Sequence, residues 1–222
     1  MARPKKPEER SRIRDVAFNV FSSKGFESSS FSDIAKEASV SKSLVQYYFP
    51  KKEQFISDFI DRSLSVVSEI VDADLDYEFD HDLGKLYAIG FAQFYFAMYN
   101  EKMNSLRMDI LRDRGNTEMV VRHAIEWILE HTDAFPIGSR EDQILAQKTL
   151  VYVVGGAFDY LYDCISNGIE FDTAFLSDTS MTLLNPFLKE PFTEGDAVRA
   201  VMTPAWLETA RKKYNRMIFT VR

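Results

Sequence analysis

Four polar side chains on one arc of a short predicted helix are the residues best suited to chemistry on a partner molecule. At about 100° per residue, the segment from Lys42 to Phe49 has an apolar arc of Leu44, Val45, Tyr48 and Phe49. The polar arc holds Lys42, Ser43, Gln46 and Tyr47. Lysine and serine bond phosphate oxygens, and glutamine pairs bidentately with adenine in the major groove. The pattern predicts a helix that contacts duplex DNA; an amphipathic hairpin with a solvated face is the alternative.

Two further helices must position this segment. A capping box, Ser30 with Asp33, begins a short helix directly before it, and Ser41 is the predicted N-cap of the segment itself. Ahead of both, residues 7–24 carry apolar residues at the spacing of one buried stripe, and Gly25 is the expected C-terminal cap. The sequence therefore predicts a three-helix unit that contains a helix-turn-helix.

Charge is divided unevenly along the chain. Residues 1–52 hold eleven Lys or Arg and six Asp or Glu, about +5, whereas the other residues hold sixteen and twenty-eight, about −12. The net charge of −7 argues against a nucleic-acid partner, but the asymmetry favours one for the N-terminal part. Residues 2–7 are a predicted basic arm or a disordered tail, and Arg10, Arg12 and Arg14 are expected to supply long-range attraction.

Four short motifs resemble the N-terminal DNA-binding domain of TetR-type transcriptional regulators, over about residues 8–55. They are Gly25-Phe26-Glu27, the run from Ser30 to Ala35, Val40-Ser41-Lys42, and the run from Tyr47 to Glu53. The chain departs from the usual pattern at Ser43, Leu44 and Gln46, so the resemblance predicts no operator sequence.

The resemblance and the capping pattern give a set of predicted DNA contacts. Free backbone N–H groups and the helix dipole favour a phosphate at the start of the second motif helix. The resemblance implies phosphate contacts for Ser30 and Lys52. We also expect the Tyr48 hydroxyl to reach a phosphate, and Leu44 to pack or to touch a thymine methyl. The predicted DNA-binding residues are Ser30, Ser41, Lys42, Ser43, Gln46, Tyr47, Tyr48 and Lys52.

Helical periodicity and capping signals continue through the rest of the chain. They predict helices over about 50–73, 83–100, 103–112, 117–134, 139–167, 173–188 and 203–214. For the basic C-terminal end, a final packed helix and a disordered tail stay open. The predicted fold is all-α. With the resemblance, it comprises a helix-turn-helix DNA-binding domain over residues 1–50 and a larger helical ligand-binding and dimerisation domain over residues 51–222.

The helix predicted over residues 83–100 is apolar nearly all the way round, which indicates burial. Core packing explains its aromatic residues, but with nearby methionines they also suit a pocket for a flat or apolar molecule. The candidate ligand-binding residues are Phe91, Phe94, Tyr95, Tyr99, Met103, Met108, Trp127, Phe158 and Tyr162. A cationic ligand is a further hypothesis because acids lie among the aromatics; solvent exposure of these acids is the alternative. They are Asp109, Glu126, Asp159 and Asp163.

An acidic stretch after residue 71 resembles the start of a calcium loop. Asp72, Asp74 and Asp76 have the spacing of its first ligands. However, Tyr77 and Leu83 stand where such a loop needs glycine and glutamate. A solvated acidic linker is therefore predicted.

Signals for other chemistry are weak. His123 and His131 are two helical turns apart, too distant for one metal ion. Cys164 is the single cysteine, which excludes an intrachain disulfide and favours a reducing compartment. We find no catalytic motif, so we predict no enzyme activity, cofactor or metal. No apolar run is long enough for a membrane span or signal peptide, so we predict a cytoplasmic protein.

These features lead to one main hypothesis, a homodimeric, ligand-responsive transcriptional regulator. The resemblance implies a repressor that a small hydrophobic or aromatic effector releases from a double-stranded DNA operator. By the same resemblance, the helices near 139–167 and 173–188 form the dimer interface. The alternatives are a helical DNA-binding adaptor without a ligand and an enzyme whose chemistry lies in the helical body.

Overall fold

Helix α1 (Pro7–Lys24) begins the N-terminal unit with a proline in its first turn and ends at Gly25, whose φ of 88° favours glycine. The computed structural model describes residues 6–219, so most of the predicted basic arm lies outside the described residues. Helices α2 (Phe31–Glu37) and α3 (Lys42–Tyr48) follow and form the predicted helix-turn-helix.

The remaining helices form a larger body. Its first part contains α4 (Gln54–Asp74), α5 (Asp82–Tyr99), a 3₁₀ turn (Glu101–Met103) and α6 (Asn104–Arg112). Its second part contains α7 (Arg114–Glu130), α8 (Arg140–Asn167), α9 (Thr173–Leu184), a 3₁₀ turn (Asn185–Phe187), α10 (Gly195–Val201) and α11 (Pro204–Ile218). The described residues contain no strand, and the predicted all-α class is confirmed.

Two helices begin away from their predicted starts. α4 begins at Gln54 and not at Pro50, because residues 51–53 form a turn first, in which the Phe55 N–H bonds the Lys52 carbonyl at 3.0 Å. α7 begins before residue 117 because Asp113 caps it, accepting from the Asn116 N–H at 2.8 Å. Residues 115–116 therefore lie inside α7 and do not break the chain between helices.

The C-terminal end of the described chain is a packed helix. α11 runs four residues beyond its predicted end, and Tyr214, Ile218 and Phe219 are buried. The hydroxyls of Tyr214 and Ser63 share a hydrogen bond of 2.7 Å, which joins α11 to α4. The sequence predicts no helix over residues 195–201, where the seven residues of α10 give too short a stripe for periodicity to detect.

Aromatic packing makes the N-terminal unit continuous with α4. Phe49, directly after α3, stacks on Phe55 with ring centroids 3.9 Å apart, and Phe18 meets Phe59 edge-on at 5.0 Å. All four rings are buried in one hydrophobic cluster. The predicted domain boundary after residue 50 therefore falls within a shared core, and it stays a prediction.

The acidic stretch is tied to neighbouring helices by lysines. Asp72 lies 2.7 Å from the Lys85 ammonium, and Asp74 lies 2.7 Å from that of Lys213. The Asp74 carbonyl also accepts from the Trp206 indole at 2.9 Å. These contacts hold the end of α4 against α5 and α11. No described helix combines the length and the apolarity needed to cross a bilayer.

Two glycines of α5 have different surroundings, and this difference gives a stability prediction. A Cβ at Gly84 would lie 2.6 Å from the buried Glu194 carboxylate, whereas one at Gly90 would meet no neighbour within 4 Å. We expect Gly84→Ala to lower the free energy of unfolding by about 1–3 kcal/mol through overpacking. Gly90→Ala should raise it by up to about 1 kcal/mol, because alanine is the better helix former. Urea unfolding measures both, and equal midpoints would contradict the packing around Gly84.

Candidate functional site

The polar arc of α3 faces solvent. Lys42, Ser43 and Gln46 are exposed, and Tyr47 is half-buried with its ring edge-on to Tyr48 at 5.3 Å. A lysine, a serine and a glutamine therefore stand together on the open side of one short helix. These side chains match the donors and acceptors that phosphates and base edges offer.

The apolar arc of α3 fixes the helix to the core. Val45 and Phe49 are fully buried, and Leu44 packs half-buried against the same cluster. Tyr48 is 5% exposed, and its hydroxyl accepts a hydrogen bond of 3.1 Å from the Lys6 N–H. The Tyr48 O–H proton is not used in this bond and can still be donated to a phosphate oxygen. The predicted phosphate contact stays a prediction.

Side-chain caps begin both helices of the motif. Ser30 Oγ accepts from the Asp33 N–H at 3.2 Å, and Asp33 accepts from the Ser30 N–H at 2.8 Å, which forms the predicted capping box. Lys24, 2.7 Å away, and the bonds from Ser30 hold the pKa of Asp33 well below its usual range. The stabilisation from Asp33 is therefore present above the ordinary pKa of aspartate and is lost only as the pH falls through the lowered value. Ser41 Oγ caps α3 through the Leu44 N–H at 3.1 Å.

Two arginines of α1 contact residues in and beside the helix-turn-helix. In the turn between α2 and α3, Ser39 has a φ of 53°, a left-handed conformation that is uncommon outside glycine. Arg12 donates to the adjacent Ala38 carbonyl at 2.8 Å. Arg10 makes two hydrogen bonds with Asp58, and its guanidinium lies 4.6 Å from the Phe49 ring centroid. Besides any long-range attraction, these two residues thus have structural contacts that sequence analysis missed.

Lys52 lies in the turn before α4, not in the first turn of that helix as predicted. Its ammonium donates to the Ser29 carbonyl at 2.9 Å and lies 4.3 Å from the Phe26 ring centroid. It therefore supports the loop that leads into Ser30, and its predicted phosphate contact stays a prediction.

A cavity of about 200 Å³ lies in the body, lined by residues from α4 to α9. Its walls are mostly aliphatic and aromatic. The predicted ligand-binding residues that line it are Phe91, Phe94, Met103, Trp127 and Phe158. Those that the structure places outside the lining are Tyr95, Tyr99, Met108 and Tyr162. Tyr99 and Tyr162 lie on outward sides of their helices, 46% and 40% exposed.

Sequence analysis missed the polar residues of this cavity, which include Gln93, Arg107 and Ser177. Gln93 exchanges hydrogen bonds with Ser63, whereas Arg107 Nε and Ser177 Oγ are buried with no partner among the described residues. Burial lowers the pKa of the Arg107 guanidinium. Helical spacing was the sequence signal that could have identified Arg107. It lies four residues after Met103 and three before Ile110, and both of these line the cavity.

Two helices connect the cavity with the N-terminal unit. α4 contributes Phe59 and Leu64 to the cavity wall, and its start packs on Phe49. α6 contributes Arg107, while its Asp109 accepts a hydrogen bond of 3.0 Å from the Glu27 N–H, just before α2. The same two helices therefore contact both the cavity and the N-terminal unit.

The acids behind the cationic-ligand hypothesis lie outside the cavity lining. Asp109 faces the N-terminal unit, and Glu126, Asp159 and Asp163 are exposed, which supports the alternative of solvent exposure. The geometry gives no support for a cation bound by these carboxylates.

The histidines and the cysteine have local contacts. His123 lies 3.0 Å from Asp61, His131 stacks on Trp127 at 4.1 Å, and Cys164 is buried. Residues 6–219 contain no group of three or more side chains that could hold a metal ion.

Large apolar side chains are exposed on α8, on α9 and in the loop that joins them, and we call them the exposed apolar face of α8 and α9. They are Ile144, Leu145, Val151, Tyr152, Tyr162, Ile169, Phe175 and Leu183. Tyr152 is 74% exposed and Phe175 55% exposed. A Cβ at Gly155 or Gly156 of α8 would meet nothing within 4 Å, so the surface is open there as well. Large exposed apolar side chains on two neighbouring elements make this region a candidate interaction site.

Comparison with known proteins agrees with the motif geometry. The family model for bacterial regulatory proteins of the tetR family matches residues 13–58, which run from α1 into α4. No curated protein matches the chain.

Solved structures share the fold at low sequence identity. RolR in complex with resorcinol is 14% identical, with 94% of each chain covered and a TM-score of 0.50. SmeT, the repressor of the Stenotrophomonas maltophilia multidrug efflux pump SmeDEF, is 16% identical, with 83% of this chain and 94% of that chain covered and a TM-score of 0.49. A TetR-family member from Streptomyces coelicolor A3 is 20% identical, with 80% and 98% covered and a TM-score of 0.47.

Neighbouring serines at the start of α3 give a matched test of the cap. Ser41 Oγ bonds the Leu44 N–H, whereas the exposed Ser43 Oγ shares a hydrogen bond with Ser41 Oγ at 3.0 Å and caps no described backbone N–H. We expect Ser41→Ala to lower the free energy of unfolding by about 1 kcal/mol. Ser41→Asp should keep most of the wild-type stability, because aspartate also caps helices. Ser43→Ala should change it by less than about 0.5 kcal/mol. Thermal unfolding measures all three, and an equal loss for Ser43→Ala would contradict the cap.

Proposed function

We propose that this chain, whose residues 13–58 match the family model for bacterial regulatory proteins of the tetR family, is a homodimeric, DNA-binding repressor. A small apolar effector binds in the body and releases the protein from its operator. The repressor acts on double-stranded DNA in the cytoplasm and has no catalytic activity or cofactor.

The polar arc of α3 carries this proposal. Lys42, Ser43 and Gln46 are exposed on a helix whose other side is locked into the core. A merely solvated face needs no basic surroundings, yet residues 1–52 are about +5 in a chain of −7. Lys42 supplies a phosphate contact and Gln46 a base contact. In a two-fold dimer, two α3 helices fit major grooves about 34–36 Å apart.

Effector control follows from the position of the cavity. A ligand favours one conformation by binding it more tightly than the other. Because α4 and α6 line the cavity and also contact the N-terminal unit, a ligand that spreads these helices changes the spacing of the two α3 helices. The apolar wall suits a hydrophobic or aromatic effector.

The exposed apolar face of α8 and α9 supports a dimer. A second copy covers this face through a self-complementary two-fold contact, which removes its apolar side chains from water in both subunits. The exposed Tyr152 and Phe175 are the anchors of this contact.

The DNA contacts are tested on a sequence selected from random DNA. We expect Gln46→Ala to lower discrimination at one base pair by about 1–3 kcal/mol. Lys42→Ala should weaken binding to all sequences and lower the slope of log affinity against log salt by about 1. Fluorescence anisotropy across a salt series measures both.

Lys212→Ala is the control for the DNA experiment, because it removes the same charge from an exposed position in α11. We expect it to bind as the wild type does. Equal affinity of the wild type for selected and random DNA would contradict the proposed function. Wild-type binding by both α3 variants would also contradict it.

The dimer face is tested by charge substitution. We expect the wild type to sediment at twice the chain mass of 25.6 kDa, and Tyr152→Glu and Phe175→Glu to sediment as monomers. A charge buried in the interface without a partner is costly, whereas these exposed positions tolerate it in the monomer. Ile137→Glu, 46% exposed in the loop before α8, is the control and should stay dimeric. A monomeric wild type would refute the dimer.

A further inference from the structure

Arg107 is the only residue with a formal charge among those described as lining the cavity. The described residues of the cavity wall include no carboxylate and no histidine, and the neutral polar ones include Gln93 and Ser177. The charge character of the cavity is therefore that of a single cation in apolar surroundings.

The hydrogen bonds of Arg107 leave part of its guanidinium free. One terminal nitrogen donates to the carbonyls of Ala97 and Met98, at 2.5 and 2.7 Å, and the other donates to Asn104 at 3.0 Å. The two carbonyls belong to the last turn of α5, where helix carbonyls lack partners within the helix. The Nε–H has no acceptor among the described residues.

No described carboxylate forms an ion pair with Arg107. An arginine stays protonated even where burial lowers its pKa, so its positive charge persists without a counterion. Arg107 as a whole is half-buried, but its Nε–H is a buried donor without a partner, which is costly. An anion in the cavity supplies the missing acceptor and a counter-charge, whereas an ammonium group adds a second cation and meets no carboxylate.

We propose that the effector is a compact, apolar monocarboxylate whose body fills the cavity and whose carboxylate accepts a hydrogen bond from Arg107 Nε–H. The size follows from the cavity volume of about 200 Å³, which lies below the usual range of about 300–1,000 Å³ for small-molecule sites. One or two rings, or a medium-length hydrocarbon chain, fit this class. The inference rests on the proposed effector-controlled function and specifies its ligand.

The position of Arg107 also connects the bound charge with the N-terminal unit. Arg107 and Asp109 lie two residues apart on α6, and Asp109 accepts the hydrogen bond from the Glu27 N–H. A carboxylate bonded to Arg107 therefore acts on the helix that contacts the start of the motif.

The first experiment compares three compounds with one hydrocarbon chain on the full-length wild type. Calorimetry measures the affinity for decanoate, 1-decanol and decylammonium, and 1-naphthoate against 1-naphthalenemethanol repeats the comparison with a flat body. We expect each carboxylate to bind at least tenfold more tightly than its alcohol, because a charge-assisted hydrogen bond forms in apolar surroundings. Decylammonium should bind most weakly of the three decyl compounds.

Variants then assign the preference to Arg107. Arg107→Gln should abolish the preference, with at least tenfold weaker decanoate binding and unchanged 1-decanol binding. Arg107→Lys keeps the charge and should retain part of the preference. Arg112→Gln, which removes an exposed arginine of the same helix, should bind as the wild type does. Circular dichroism verifies that each variant is folded, and if Arg107→Gln is not, the wild-type comparison and Arg107→Lys decide.

The outcomes separate this inference from the function on which it rests. If the alcohols or decylammonium bind the wild type as tightly as the carboxylates do, the carboxylate assignment is overturned while effector control stands. A folded Arg107→Gln that keeps the preference also overturns it. If no compound of either series binds, while selected DNA is still bound, the proposed ligand class is overturned and the proposed DNA binding stands.

Discussion

Aromatic packing at the end of α3 holds the N-terminal unit against the body. Phe49 leaves α3 and stacks on Phe55 of α4, and Phe18 of α1 closes on Phe59 one turn later. Burial of each ring contributes about 1.5–3 kcal/mol. The nearby ion pair between Arg10 and Asp58 is partly exposed and contributes about 0–1 kcal/mol. The rings therefore supply most of the energy that joins the motif to α4, while the ion pair helps to set the orientation of α1 relative to α4.

Because this core is continuous, the N-terminal unit is packed directly against α4 and is not joined to the body by a free linker. The matched family region likewise runs beyond α3 into the first turns of α4. α4 then continues along the cavity wall, and α6 returns to the motif through Asp109. Two helices thus share one cavity-facing surface and one motif-facing surface. In the proposed function, that arrangement couples an effector in the cavity with the orientation of α3.

Charges of opposite sign are separated both along the chain and within α6. Along the chain, the basic excess lies in the N-terminal unit and the acidic excess in the body. Within α6, Arg107 lines the cavity and Asp109 faces the N-terminal unit. The body therefore repels a nucleic acid as a whole, while its interior presents a single cation to whatever enters the cavity.

Features that depend on residues within about one helical turn could be predicted from the sequence. The caps at Ser30 and Ser41, the end of α1 at Gly25 and the two arcs of α3 follow from local spacing, and the structure has them where expected. The predicted start of α7 was wrong because the cap at Asp113 was overlooked.

Only the tertiary structure decided which surfaces meet. Periodicity marked a buried helix over residues 83–100, but it did not distinguish residues that line the cavity from Tyr95 and Tyr99, which lie outside it. It also gave no sign that Lys52 supports a loop, and it placed Arg107 on the same side of α6 as Ile110 without showing that this side lines a cavity. These outcomes depend on contacts between residues distant in the chain, and helical spacing carries no information about the partner across the interface.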